Sequence, residues 1–340
     1  MLILSIETSC DETAAAVLLD GRETLSSVVS SQVEIHAEYG GVVPEIASRR
    51  HLEMISPVIA EALEKGGVRF SDIQGIVATR GPGLSGALLV GIQAAKSISF
   101  ARKIPFAGVH HIEGHIFASF LEKRIEFPFL ALVVSGGHTH LYHVEGFGRY
   151  RTLGRTIDDA VGEAFDKSAK AIGIEYPGGA KIDALAKGGN PEAIPFPRPM
   201  LNDGTLNFSF SGLKTAFSQQ IRKSGHVLSG ERISDLCASF QAAVCDLLEA
   251  KTLSALETTG ARRFVVAGGV ACNSALRDRM KKMSQRYGAE LSIPSPSLCG
   301  DNAAMLAVAG DYYLENNFFS PLTIDVIPNW ELDSVKEIFS

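Results

Sequence analysis

The residues best able to do chemistry stand together in "AGVHHIEGHIFASF", residues 107–120. His111 and His115 are four apart, so on a helix they share one face with neighbouring Cβ atoms. Two imidazoles at that spacing can grip one metal ion. The zinc-protease pattern H-E-x-x-H uses the same spacing, but its Glu directly follows the first His. Here Ile112 has that place and the glutamate is Glu113, about 100° further round a helix. The protease base is therefore out of position, and His110 reads as a neighbour. Gly114 costs a helix about 1 kcal/mol relative to Ala, so this helix start is tuned for something other than stability. Two ordinary surface histidines remain the plain alternative. A two-His site needs a further ligand, and Asp301 in "LCGDNAAM" is the candidate, although a carboxylate there could simply cap the helix it opens. A His-His-Asp set with open positions suits a divalent metal acting as a Lewis acid.

Three Gly-Gly turns follow apolar runs or sit in loops: "VSGGHTH", "YPGGAKID" and "AGGVACN". Such turns expose backbone N–H groups that can cradle phosphate. None is a P-loop, and "RGPGLSGALLVG" is not a dinucleotide fingerprint. Three such turns in one α/β chain point to a nucleotide, with ligand-free tight turns as the alternative. Asp166 and Asp183 flank the second turn and could accept hydrogen bonds from ribose hydroxyls, or could be ordinary surface acids. Asp11 and Glu12, in the turn after "LILSIET", could hold a proton or a cation.

The elements that must position these residues read as α/β. The 340-residue chain is long enough for two domains with real cores. Apolar residues make up 46% and charged residues 21%, an ordinary globular balance. "LILSIET", a polar turn and "AAAVLLDG" predict an opening β-hairpin, and "PFLALVVSGGHTHLYHVEG" repeats that plan. A duplicated domain follows, with the two hairpin turns facing a shared cleft. Between them, helix-like 45–67 (broken or kinked near Pro57), a strand in "IQGIVATRGPG", a helix in "LSGALLVGIQAAKSISFARK" and a strand in "IPFAGVH" alternate as in a central-sheet fold. The division is expected at residues 1–110 plus about 303–340 for one lobe and 111–302 for the other, which carries a Pro-rich insertion.

Charge and cysteines set limits. The formal net charge of −6 makes the chain a poor general nucleic-acid binder. A local basic face is not excluded, and the densest basic run is "RDRMKKMSQR", residues 277–286, whose bland reading is one solvated helix face. The five cysteines are scattered and no C-x-x-C occurs, which argues against a disulfide framework. The N-terminal apolar run is too short for a signal peptide, and no run approaches the roughly 20 residues of a membrane span. A reducing cytoplasmic location is the expectation.

"IETSCDETAAAV", "GGVVPEIASRRHLE", "TRGPGLSGALLVG", "GVHHIEGH", "LVVSGGHT", "DDAVGEAFDK", "YPGG", "FSFSGLKTA", "AGGVACN" and "CGDNAAM" occur in that order from Ile6 to Met305. Together they resemble the bacterial tRNA N6-adenosine threonylcarbamoyltransferases. The resemblance implies an actin-like, Hsp70-like (ribonuclease H-like) fold of two duplicated lobes around a central cleft. It implies transfer of a threonylcarbamoyl group from threonylcarbamoyl-AMP to N6 of adenosine 37 in tRNAs reading ANN codons. It places one divalent metal per subunit, Fe2+ favoured and Zn2+ the alternative, on His111, His115 and Asp301. The adenylate falls to Val133, Val134, Ser135, Gly136, Gly137, Asp166, Gly179, Asp183 and Asn273, with ATP a further candidate ligand. Asp11 and Glu12 are the candidates for catalytic proton transfer. tRNA, a paralogous actin-like subunit and a small P-loop ATPase are the implied partners, with no membrane. Competing readings are a zinc metalloendopeptidase and a nucleotide-dependent actin-like scaffold.

Overall fold

The computed structural model describes residues 1–223 and 229–339. The chain divides into two compact units. The first comprises Met1–Ile125, Gly146–Tyr150 and Gly300–Ser340; the second comprises Glu126–Glu145 and Arg151–Cys299.

The first unit opens with β1 (Leu2–Glu7), β2 (Glu12–Leu19) and β3 (Glu23–Ser31), followed by the short α1 (Val33–Ala37) and α2 (Pro44–Lys65). Then come β4 (Gly75–Gly81), α3 (Ser85–Arg102), β5 (Phe106–His110) and α4 (His111–Phe117). The second unit builds on β6 (Phe129–Val134), β7 (Thr139–Gly146) and β8 (Arg149–Arg155). These lead to α5 (Val161–Ala171), α6 (Gly179–Ala186), α7 (Ser211–Lys223) and α8 (Gly230–Thr259). β9 (Arg263–Ala267), α9 (Ser274–Tyr287), β10 (Glu290–Ser292) and α10 (Pro296–Cys299) complete it, and α11 (Ala304–Glu315) returns to the first unit.

The two sheets repeat one topology. The first has strand order β3-β2-β1-β4-β5, and the second, read from its β8 edge, is β8-β7-β6-β9-β10. Each begins with an antiparallel hairpin, β1 with β2 from Leu2↔Leu19 to Glu7↔Ala14, and β6 with β7 from Phe129↔Val144 to Val134↔Thr139. Each continues with two parallel strands on the other side of the central one. The duplication expected from the two hairpins is therefore present strand for strand. The apolar runs of β1 and β6 are buried almost throughout, as central strands covered on both faces must be. β3, at an edge, alternates instead.

In the first unit Leu4, Ile6, Ile76 and Ala78 pack with Val58, Ile59 and Ile92 of α2 and α3. On another part of the unit Ala14, Ala16 and Leu18 of β2 meet Ala303, Ala304 and Ala307. Small side chains there let α11 lie close to the sheet. Two details differ from expectation. α2 runs through Pro57 without ending, so the helix is not broken there. The unit boundaries fall after residues 125 and 299 rather than after 110 and 302. The reason is packing: a Cβ on Gly114 of α4 would lie 2.8 Å from Leu306 Cδ2 and 3.0 Å from Met305 Cγ, so α4 is held tightly against α11. The metal-candidate helix thus belongs to the first unit, not the second.

Candidate metal centre

β5 delivers the chain directly into α4, so His111 is the first residue of that helix and His115 lies one turn on. His110 caps it. Its side chain accepts from Ile112 N at 3.1 Å, and its Nε2 donates to the Trp330 carbonyl at 2.9 Å. One ring nitrogen accepting and the other donating fixes a neutral tautomer with the proton on Nε2. His110 is more than a neighbour: it starts the helix and ties it to the C-terminal segment. The sequence signal for this was its position between a strand and a helix.

Asp301 does not cap α11. Asn302 does that, accepting from Met305 N at 3.0 Å. The Asp301 carboxylate instead approaches the histidines, with Oδ1 3.2 Å from His115 Nε2 and 3.7 Å from His111 Nε2. One ligand atom from each of His111, His115 and Asp301 lies within 4.8 Å of the others. The two imidazoles meet edge to face, with centroids 4.7 Å apart.

The residues fit a divalent metal. His115 is 1% exposed; its Nδ1 has no hydrogen-bond partner among the described residues, and its Nε2, though 3.2 Å from Asp301 Oδ1, is not aligned with it for a hydrogen bond. Buried polar atoms without partners are costly, and coordination would satisfy one of them. His111 keeps Nε2 on the Asp301 side, while its Nδ1 lies 3.2 Å from Glu7 Oε2 and 3.1 Å from Ser9 Oγ. That is the outer support a metal-binding histidine needs, with a carboxylate on the far nitrogen setting the ring's orientation and basicity. Glu7 is itself held by Thr79 Oγ1 at 2.5 Å. Glu7 was not singled out from sequence, although an acid closing an apolar strand, "LILSIE", was the available signal.

The electrostatics agree with an anionic pocket. Burial works to lower the His111 pKa, but the Asp301 and Glu7 carboxylates outweigh it and raise it to about 9. Burial opposes ionisation of Glu7, and His111 overrides it to hold the carboxyl below its ordinary value. Burial, then Asp301 and Asp11, pushes Glu12 up to about 10. Asp11 is buried, and its Oδ2 has no hydrogen-bond partner among the described residues.

Glu113 is turned away from this pocket. Its carboxylate is fully buried and accepts from Tyr150 Oη at 2.5 Å and from Tyr313 Oη. Burial raises its pKa to about 7 against those hydrogen bonds. The peptidase base is therefore misplaced in space as well as in sequence.

In the second unit the three Gly turns converge on β6 and α5. The β6–β7 turn closes through Ser135 N to His138 O at 2.8 Å, and the space where a Cβ on Gly136 or Gly137 would stand is open. A Cβ on Gly162, at the start of α5, would lie 2.6 Å from Ser135 O. Gly268 has φ +91°, and a Cβ there would lie 2.4 Å from Val134 O. The Tyr176-to-Gly179 loop is pinned by Asp166 Oδ1, which accepts from Gly178 N at 2.8 Å. Asp183 accepts from Ser274 Oγ at 2.8 Å and Ser274 N at 3.2 Å. Asn273 caps α9 through Leu276 N at 3.0 Å and donates to Gln241 at 2.6 Å. Val133 and Val134 are buried inside β6, so only their backbone could meet a ligand. The structure thus places Ser135, Gly136, Gly137 and Asn273 in turns of the second unit, with Asp166 on α5 and Gly179 and Asp183 on α6, and hydrogen bonds tie Asp166 to Gly178 and Asp183 to Ser274. It also gives Asp166, Asp183 and Asn273 framework duties that sequence reading did not assign.

The basic run at 277–286 is largely spent on the protein itself. Arg277 donates to the carbonyls of Ala271 and Pro294 at 3.0 Å. Arg279 pairs with Asp246 and Glu249, and Arg286 with Glu249.

Comparison with known proteins follows the same lines. Residues 23–308 match the family model described as TsaD, tRNA N6-adenosine threonylcarbamoyltransferase. A protein of Pelobacter propionicus with that name is 68% identical over 337 residues, spanning 99% of each chain. One of Trichlorobacter lovleyi is 64% identical over 335 residues, spanning 98% of each. Among solved structures, T. kodakarensis HypF superposes with a TM-score of 0.62 at 15% identity, over 93% of this chain and 48% of that one. Component A of the Acidaminococcus fermentans (R)-2-hydroxyglutaryl-CoA dehydratase gives 0.54 at 13% identity, over 93% and 99%. These distant likenesses concern the fold alone, the actin-like α/β architecture of duplicated units. With the family model covering most of the chain and relatives this similar along nearly all of it, the chain belongs to the tRNA N6-adenosine threonylcarbamoyltransferase family.

Proposed function

We propose that this chain transfers the threonylcarbamoyl group of threonylcarbamoyl-AMP to N6 of adenosine 37 in tRNAs reading ANN codons, releasing AMP. The observation that carries this reading is the set of buried His111 and His115 with half-buried Asp301, backed by Glu7, in a chain of this family. The N6 lone pair forms a bond to the carbamoyl carbon. The bond from that carbon to the phosphate oxygen breaks, and AMP leaves with the electron pair. The donor is a mixed anhydride, so no covalent nucleophile is required. The amine is weak, and help must come from polarising the carbonyl and fixing the approach.

His111, His115 and Asp301 would hold the metal, Fe2+ in preference to Zn2+, with Glu7 orienting His111. Bound there, such a metal would supply Lewis-acid polarisation of an acyl oxygen. The open backbone at Gly136 and Gly137 takes the adenylate phosphate, and Asp166, Gly179, Asp183 and Asn273 position its nucleoside. A carboxylate has about four acceptor sites, so their framework bonds leave capacity for ligand hydroxyls. Asp11, with its unpartnered buried Oδ2, takes the N6 proton. The partners are tRNA, a paralogous actin-like subunit and a small P-loop ATPase, and the setting is the cytoplasm. No helix among the described residues is long and apolar enough to cross a membrane.

The test is incubation with threonylcarbamoyl-AMP, an unmodified ANN-decoding tRNA and the partner proteins, followed by nucleoside mass analysis. Threonylcarbamoyl-adenosine and an equal amount of AMP are expected. Unmodified adenosine alone, with every component present, would overturn the reading.

A further inference from the structure

The candidate metal ligands come from two elements nearly two hundred positions apart in the chain. His111 and His115 ride on α4, and Asp301 precedes α11. Something must set the register between these elements to a few tenths of an ångström, because a metal site tolerates little looseness in its ligands. The Gly114 contact with Met305 and Leu306 is close but apolar. Such a contact sets a separation and permits sliding.

Glu113 supplies a directional tie. Two residues along a helix is about 200° of rotation, so Glu113 projects to the side of α4 away from both histidines. Its Oε1 accepts from Tyr150 Oη at 2.5 Å and from Tyr313 Oη, and its Oε2 from His110 N at 3.3 Å. Tyr313 stands on α11. Tyr150 belongs to the Gly146–Tyr150 segment of the same unit, and its Oη also accepts from Gly148 N at 3.1 Å. In that segment Phe147 packs 4.5 Å from Phe117 of α4 and 4.3 Å from Tyr312 of α11, centroid to centroid. One fully buried carboxylate therefore joins the helix of the histidines, the helix behind Asp301 and a third segment wedged beside both. A buried carboxylate is costly to keep. Three donors focused on it point to a register function that an apolar residue could not perform.

We propose that Glu113 is a positioning residue for the metal site, fixing α4 against α11 through Tyr313 and Tyr150 so that His111 and His115 face Asp301. This rests on the metal reading of the site, and the test separates the two. Co2+ is titrated into metal-stripped wild-type protein, Glu113→Gln, Glu113→Ala, Tyr313→Phe and Tyr150→Phe, with His115→Ala as the control. The readouts are the cobalt ligand-field absorption, competition with a chromogenic chelator, and thermal unfolding without metal.

Wild type is expected to bind one Co2+ and His115→Ala to lose it. Tyr313→Phe and Glu113→Ala are expected to bind about 10–100-fold more weakly, as removal of outer-sphere support does elsewhere, with shifted cobalt bands. Glu113→Gln, which keeps an acceptor for the phenols, is expected to recover part of the loss. Wild-type affinity and spectrum in Glu113→Gln and Tyr313→Phe, with only a lower melting temperature, would overturn the positioning role alone. Absence of Co2+ binding by the wild type would overturn the metal reading itself. Should Glu113→Ala not fold, the two phenylalanine variants and Glu113→Gln still decide the matter.

Discussion

At the scale of single residues, the site is a set of groups whose protonation and pairing make sense only together. His115 is buried and has no hydrogen bond on its far nitrogen Nδ1 among the described residues, whereas His111 is braced on its far nitrogen by Glu7 and Ser9. The two histidines should therefore respond differently to outer-sphere changes. His115→Ala is expected to abolish metal binding and to lower transfer by at least about 100-fold, on the scale of lost electrostatic stabilisation. Elemental analysis and single-turnover transfer would check this, and full activity after chelation and dialysis would count against a metal role. A second residue tests linkage. Burial, then the nearby Glu315, raises the Asp311 pKa from 3.8 to about 6. A carboxyl raised in the folded state holds its proton there after the unfolded chain has lost its own. Its contribution to stability is thus greatest below pH 4 and falls as pH rises to about 6. Asp311→Asn should remove that decline and stabilise the protein at pH 7 by about 1–3 kcal/mol. Denaturant titrations at pH 4 and pH 7 would show the two proteins converging at the acid end.

Among elements, the α4–α11 contact brings the candidate ligands together. Gly114 looked like a flaw in a short helix. In the folded chain it is a point of close approach, where a Cβ would meet Leu306 and Met305 at 2.8 and 3.0 Å. Gly114→Ala raises helix propensity yet is expected to destabilise the protein by about 1–3 kcal/mol, the usual cost of overpacking. Thermal or chemical denaturation would measure it, and an unchanged or raised stability would show that α11 yields freely. The helix and its two histidines were legible from sequence because the four-residue spacing is local. Asp301 was legible as a candidate, but its competing role as an N-cap was resolved only by Asn302 taking that duty. Glu7, Ser9 and the tyrosine clasp on Glu113 were not legible. Their partners come from distant segments, and no local period marks such a pairing.

For the whole molecule, the two sheets share one strand order and the same pattern of antiparallel and parallel pairing. With a net charge of −6, the proposed tRNA contact would fall to local surfaces. The basic run at 277–286 is a poor candidate for such a surface, because Asp246 and Glu249 already engage Arg279 and Arg286. Arg279→Ala is expected to lower stability while leaving the salt dependence of tRNA binding unchanged. A second basic stretch, "RYRTLGR", forms β8 at the edge of the second sheet, with exposed Arg149, Arg151 and Arg155. If β8 meets the tRNA backbone, Arg151→Ala should lower the slope of log affinity against log salt by about 0.9 per phosphate lost. Filter binding over a range of salt would read it, and an unchanged slope would remove β8 from the tRNA surface.

The sequence by itself determined the α/β class, the duplicated hairpins, the pair of histidines on one helix face and the family, because periodicity, four-residue spacing and ordered motifs are properties of a linear chain. It also showed that Glu113 stands in the wrong place for a peptidase. Only the tertiary structure decided that His111, His115 and Asp301 meet within 4.8 Å, that Glu7 braces one of them, and that His110 and Glu113 hold their helix in place. Those facts depend on how β1, α4, α11 and the segments beside them pack, and packing brings together residues that lie tens to hundreds of positions apart.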